Sequence, residues 1–102
     1  MARASRRLQH GPCPTCGRTL QLTFHHLIPR KVHRRPRFRK GYSRDQLAEG
    51  VYLCRDCHDV IHRSYSEMEL ARERASLELL LADPSLARQF DWLSRQRRKS
   101  VI

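Results

Sequence analysis

The chain has 102 residues, with 21 Lys and Arg against 10 Asp and Glu, a formal net charge of +11 and a pI near 10.8. That length predicts one domain with a marginal core, and the charge points to a polyanionic partner, phosphate backbones before anionic membrane. No apolar run approaches the ~20 residues of a membrane span and the start lacks an apolar signal segment, so a cytoplasmic chain with reduced thiols and no membrane partner is expected.

Residues 1–12 are polar and basic and read as a flexible N-terminal tail. CPTCGR at 13–18 is a tight turn with Pro14 and Gly17, shaped like a zinc knuckle. TLQLTFHH at 19–26 alternates, with Leu20, Leu22 and Phe24 on one face, and predicts a short strand that ends in two adjacent histidines. From Leu27 to Arg44 there are two prolines, no acid and eight basic residues: Arg30, Lys31, Arg34, Arg35, Arg37, Arg39, Lys40 and Arg44. This tract reads as a long loop that builds no core, a length uncommon in a compact domain unless functional or disordered.

DQLAEG predicts a short helical turn ending at Gly50, VYLC at 51–54 a second strand, and CHDVIHRSY from Cys57 a helix. Beyond residue 65 the composition changes. Ser66 with Glu69 forms a capping-box signature at the start of an apolar-patterned helix. Met68, Leu70, Leu77, Leu80 and Leu81 are its candidates for burial. Asp83-Pro84 then reads as N-cap and N1 of a last helix, with Leu86, Phe90 and Leu93 on one face. Residues 66–102 are therefore expected to be a two-helix extension packed on a domain at 13–65. RQRRKS adds a basic run near the end.

Two Cys-x2-Cys pairs, Cys13/Cys16 and Cys54/Cys57, suit a tetrahedral four-thiolate zinc site with no open position. Such a site is structural and would stabilise a small core. A rival set of Cys54, Cys57, His58 and His62 would strand Cys13 and Cys16, so the four-cysteine reading is preferred. His58 and His62, spaced i, i+4, stack on one face of a helix and can share one further metal. On extended backbone His25 and His26 point to opposite sides, which suggests one metal ligand and one general base. His33 reads as an ordinary loop histidine, Tyr42 as a loop anchor, and His10 is assigned nothing.

In combination, CPTCGR, LTFHHLIPR and VYLCRDCHDVIHR resemble the HNH endonuclease family in its four-cysteine form, over residues 13–63. The resemblance implies an α+β fold of the small ββα-metal, treble-clef-like kind with a structural zinc. It implies His26 as the base that activates water, and His25, His58 and His62 as ligands of one catalytic divalent metal. It also implies a nuclease acting on DNA with low sequence specificity, with structured RNA as an alternative substrate. Imidazole ligands favour Mn²⁺, Ni²⁺ or Zn²⁺ over Mg²⁺. One departure stands out: the family places an asparagine where this chain has Glu49, and the chain contains no asparagine. Glu49 or Gln46 is the candidate substitute. The competing reading is a noncatalytic zinc module that binds DNA or RNA. Either would be a monomer or a weak dimer.

Overall fold

The structure, a computed structural model, describes residues 9–97; the basic run before Gln9 and the end of the C-terminal basic run from residue 98 lie outside the described residues. Three antiparallel strands, β1 (Gln9–Pro12), β2 (Thr19–His26) and β3 (Gly50–Cys54), form one sheet in that order. Six helices accompany it among the described residues: α1 (Pro36–Gly41), α2 (Arg44–Ala48), α3 (Arg55–Ser64), α4 (Glu67–Glu73), α5 (Leu77–Ala82) and α6 (Pro84–Ser94). The fold is α+β, and β2 and α3 carry the two histidine pairs. None of the helices is long and apolar enough to cross a membrane.

The knuckle closes through two backbone bonds, Cys13 N–H to Arg18 O at 2.9 Å and Gly17 N–H to Cys13 O at 2.7 Å. The second needs Gly17 at φ 83°, a region that costs a side chain and suits glycine. The expected tail does not extend to residue 12. Gln9–Pro12 pairs with β2, Gln9 opposite Leu22 and Pro12 opposite Thr19, as an edge strand where proline is tolerated.

β2 and β3 pair Leu22 with Cys54, Thr23 with Leu53, His25 with Val51 and His26 with Gly50. Gly50 thus begins a strand and does not end a helix. A Cβ there would meet the His25 carbonyl at 2.3 Å and the Phe24 ring at 2.4 Å. Gly50→Ala must therefore push β2 away at the histidine pair. It is expected to destabilise by about 1–3 kcal/mol, the usual cost of overpacking; an unchanged denaturant midpoint would contradict that contact.

The basic tract is not the coreless loop that its composition suggests. A 3-10 turn at Arg30–Val32, then α1 and α2, fold it onto α4. Ile28, Val32 and Phe38 are buried with Ala71 of α4 in a second small core, and Phe38 is 2% exposed. Burying that ring contributes about 1.5–3 kcal/mol. Tyr42 stacks on Phe38 at 5.8 Å, the anchoring expected of it.

The main core joins the sheet to the later helices: Leu22, Leu53, Val60, Ile61, Leu70, Leu80, Leu86, Phe90 and Leu93. The predicted capping box at Ser66/Glu69 and the Asp83/Pro84 helix start are both present. The single helix expected after Ser66 is instead two. α4 stops at Arg74 (φ −137°, ψ 43°), and Ser76 caps α5 by accepting from Leu79 N–H. The break lets Leu70 and Leu80 both reach the core while Leu81 stays exposed. Arg74 bonds Asp83 at 3.1 Å and lies 3.8 Å over the Tyr65 ring, whose hydroxyl also donates to Asp83, tying α3, α4 and α6 together.

Candidate metal centres and nucleic-acid face

Cys13 and Cys16 come from the knuckle, Cys54 from the end of β3 and Cys57 from the first turn of α3. All four are buried, and their sulfurs lie within 4.8 Å of one another. Cys16 and Cys54 Sγ stand 3.7 Å apart; a tetrahedron with ~2.3 Å Zn–S bonds has edges of about 3.8 Å. Hydrogen bonding from Cys54 and Cys57 holds the Cys13 thiol far below its ordinary range. The same contacts push Cys54 up to about 11 and Cys57 upward as well. The cluster therefore favours a cation that would let every sulfur ionise. Cys54 Sγ also accepts from Cys57 N–H, so this thiol doubles as the N-cap of α3.

Arg18 completes this corner, and no motif announced it. Its guanidinium reaches Cys16 Sγ at 3.3 Å, Cys54 Sγ at 3.6 Å, Asp56 at 3.2 Å and the Gln96 carbonyl at 3.3 Å. A permanent cation beside thiolates stabilises their charge, and here it also anchors the chain after α6.

The second cluster gathers His25 from β2 with His58 and His62 from α3. Each offers a ring nitrogen within 4.8 Å of the others. Ring centroids lie 5.1 Å (His25–His58), 5.2 Å (His25–His62) and 4.9 Å (His58–His62) apart. The i, i+4 spacing on α3 does what the sequence suggests and stacks two imidazoles on one face. His25 is 1% exposed, and neither of its ring nitrogens has a hydrogen-bond partner among the described residues. Buried polar atoms are nearly always paired, so these nitrogens fit a metal ion. Burial, then the neighbouring His58, His62 and His26, lower the His25 pKa to about 3. Burial and His62 lower that of His58. Both rings are neutral near pH 7, the form that binds metal.

His26 stands apart from that triad. Its ring packs edge-on against Phe24 at 4.9 Å and against His33 at 5.7 Å. With Phe24, Pro29, Arg30, Lys31, His58, His62 and Glu67 it lines a cleft of about 160 Å³. His25 lies against the α3 histidines, and His26 lines the cleft beside two of them. Phe24 flanks the cleft rather than joining the main core with Leu22.

The eight basic residues of the tract, Arg30 to Arg44, are all exposed, and none is in an ion pair among the described residues. Of the eight, Arg30 and Lys31 line the cleft. Glu49 is exposed at the C-cap of α2, and its carbonyl accepts from Leu27 N–H at 3.1 Å, holding the chain just after His26. Gln46 is occupied elsewhere: its side chain accepts from Ser43 N–H at 2.8 Å in the α2 capping box.

Three residues near the clusters were passed over by motif reading. Thr23 contacts His58 Nδ1 at 2.8 Å. Glu67 brings a carboxylate to the cleft. His33, expected to be an ordinary loop histidine, donates from Nε2 to the Ile28 carbonyl at 2.6 Å and packs on His26. Alternation placed Thr23 on the His25 face of β2, which was the only available signal; nothing local marks the other two.

The HNH endonuclease family profile matches residues 13–64. An uncharacterised protein of Bacillus subtilis (strain 168), YisB, is 34% identical over 93 residues, covering 90% of this chain and 82% of that protein. No solved structure matches the chain significantly.

Proposed function

The chain belongs to the HNH endonuclease family, and from that premise we propose that it is a metal-dependent endonuclease hydrolysing DNA phosphodiester bonds, by nicking or cutting with little sequence preference. The observation that carries the reading is the pairing of an orphaned, buried His25 with His58 and His62, beside a cleft that also exposes His26. His25, His58 and His62 would hold one divalent ion, and Cys13, Cys16, Cys54 and Cys57 a structural zinc. When bound, the catalytic ion supplies Lewis-acid stabilisation of charge on the phosphate and the leaving oxygen. His26, acting as a general base, takes the proton from the attacking water. Arg30 and Lys31 hold the scissile phosphate at the cleft mouth. Arg34, Arg35, Arg37, Arg39, Lys40 and Arg44 track the flanking backbone, contacts that give affinity without reading bases. The bracing role of the family asparagine falls here to the Glu49 main chain, through its bond to Leu27.

The second reading, a noncatalytic zinc module that binds DNA or structured RNA, draws on that same missing asparagine. Supercoiled-plasmid nicking across Mn²⁺, Ni²⁺, Zn²⁺, Mg²⁺ and chelator separates the two. The nuclease reading expects nicking in one or more of the first three metals and none in chelator, because a three-imidazole set is soft for Mg²⁺. Retarded but intact plasmid in every metal would establish the binding module instead.

A further inference from the structure

Among the described residues the hydrogen-bond partner of the His58 ring is Thr23, and the direction of that bond follows from where the hydroxyl proton goes. Thr23 Oγ1 lies 3.1 Å from the Leu53 carbonyl and 2.8 Å from His58 Nδ1. A carbonyl only accepts, and a hydroxyl has one proton. With that proton given to Leu53, Oγ1 meets His58 as an acceptor, and Nδ1 must carry hydrogen. A neutral imidazole bears a single N–H, so Nε2 is left with its lone pair. The opposite arrangement would place the proton on Nε2 and close that nitrogen to a metal.

The sheet builds this relay from its own register. Leu53 is the cross-strand partner of Thr23, so the acceptor of the hydroxyl proton is set by the β2–β3 pairing. Thr23 is two positions from His25 and on the same face of β2. Its β-branched side chain is stiff at χ1, which keeps Oγ1 in place.

We propose that Thr23 is a positioning residue that locks His58 in the Nδ1–H tautomer and so presents Nε2 to the catalytic divalent metal. This rests on the reading of His25, His58 and His62 as its ligands. The metal centre is then oriented by a neutral hydroxyl–carbonyl relay rather than a carboxylate, adding no negative charge behind the ligand.

The test has two readouts. Long-range proton–nitrogen correlation spectra of histidine-labelled protein, at mildly alkaline pH, report the tautomer of His58. Calorimetric titration with Zn²⁺, after the four-cysteine site is filled, reports the second site. In the wild type His58 should be the Nδ1–H form. Thr23→Val, which keeps the shape and loses the hydroxyl, should shift His58 towards Nε2–H and weaken the second Zn²⁺ by ~10–100-fold, the usual effect of removing such a support. Thr23→Ser should restore both. Retention of one zinc per chain with unchanged circular dichroism shows that the Val variant is folded; the wild-type and Ser spectra decide the tautomer in any case. A wild-type His58 in the Nε2–H form, or a Val variant with unchanged tautomer and Zn²⁺ affinity, overturns the proposal. An Nδ1–H His58 in a wild type that takes up no second ion keeps the relay but overturns the metal reading beneath it.

Discussion

His26→Ala is expected to lower plasmid nicking by ~10²–10⁴-fold, the contribution of a positioned general base, with the fold intact. The corresponding barrier increase is about 2.7–5.5 kcal/mol. The side chain is half-buried, makes ring contacts to Phe24 and His33, and belongs to neither metal cluster. Its truncation leaves the sheet register and both ligand sets in place. The variant should therefore bind DNA and zinc as the wild type does, and melt within a few degrees of it. Nicking at near wild-type rate would remove His26 from the chemistry. Loss of rate together with loss of cooperative melting would assign it a structural role. The closer comparison is His33→Ala, because His33 packs on the same ring and clamps the Ile28 carbonyl. If His26 is the base, that neighbour affects its placement and the rate falls less.

Most of the metal-binding framework could be read from residue spacing, because ligand geometry is local. Two Cys-x2-Cys pairs need only a tight turn at one end and a helix start at the other, and both elements formed as their sequences suggest. His58 and His62 meet because four residues make about one helical turn. The parts that escaped depend on tertiary partners. Val32 and Phe38 are isolated apolar residues among arginines, and Ala71, more than thirty positions away, helps complete the interior they enter. β1 contains glycine and proline and has little strand propensity of its own; pairing with β2 forms it. The break at Arg74 is set by the need of Leu70 and Leu80 to face one core, while the leucine run by itself suggests one continuous helix. Arg18 and Thr23 join the clusters through partners 35 or more residues away, Cys54 and His58, and Glu67 comes to the cleft from the first turn of α4, so spacing alone does not display these contacts.

Cys57→Ser is expected to abolish cooperative folding, a larger effect than any change at the histidine cluster. Cys57 is 0% exposed and sits where the sheet, the knuckle and α3 converge. Structural zinc sites in small domains bind with apparent free energies of about 10–16 kcal/mol, and that binding is folding free energy. A domain of this size has about 5–15 kcal/mol of total stability, so losing the ion removes an amount comparable to the whole. The damage also spreads. Cys54 Sγ caps α3, and Arg18 links the thiolates to Asp56 and to the Gln96 carbonyl after α6. Without the ion, the start of α3 and the last helix lose a shared anchor, and the histidines on α3 lose their register with His25. Cys57→Ser should thus show low zinc content, no cooperative thermal transition and no nicking. His25→Ala, by contrast, should keep its zinc and its transition while losing the second metal. A Cys57→Ser protein that melts cooperatively near the wild-type midpoint would mean that the two hydrophobic clusters suffice for this fold, and that the four cysteines hold something other than its keystone.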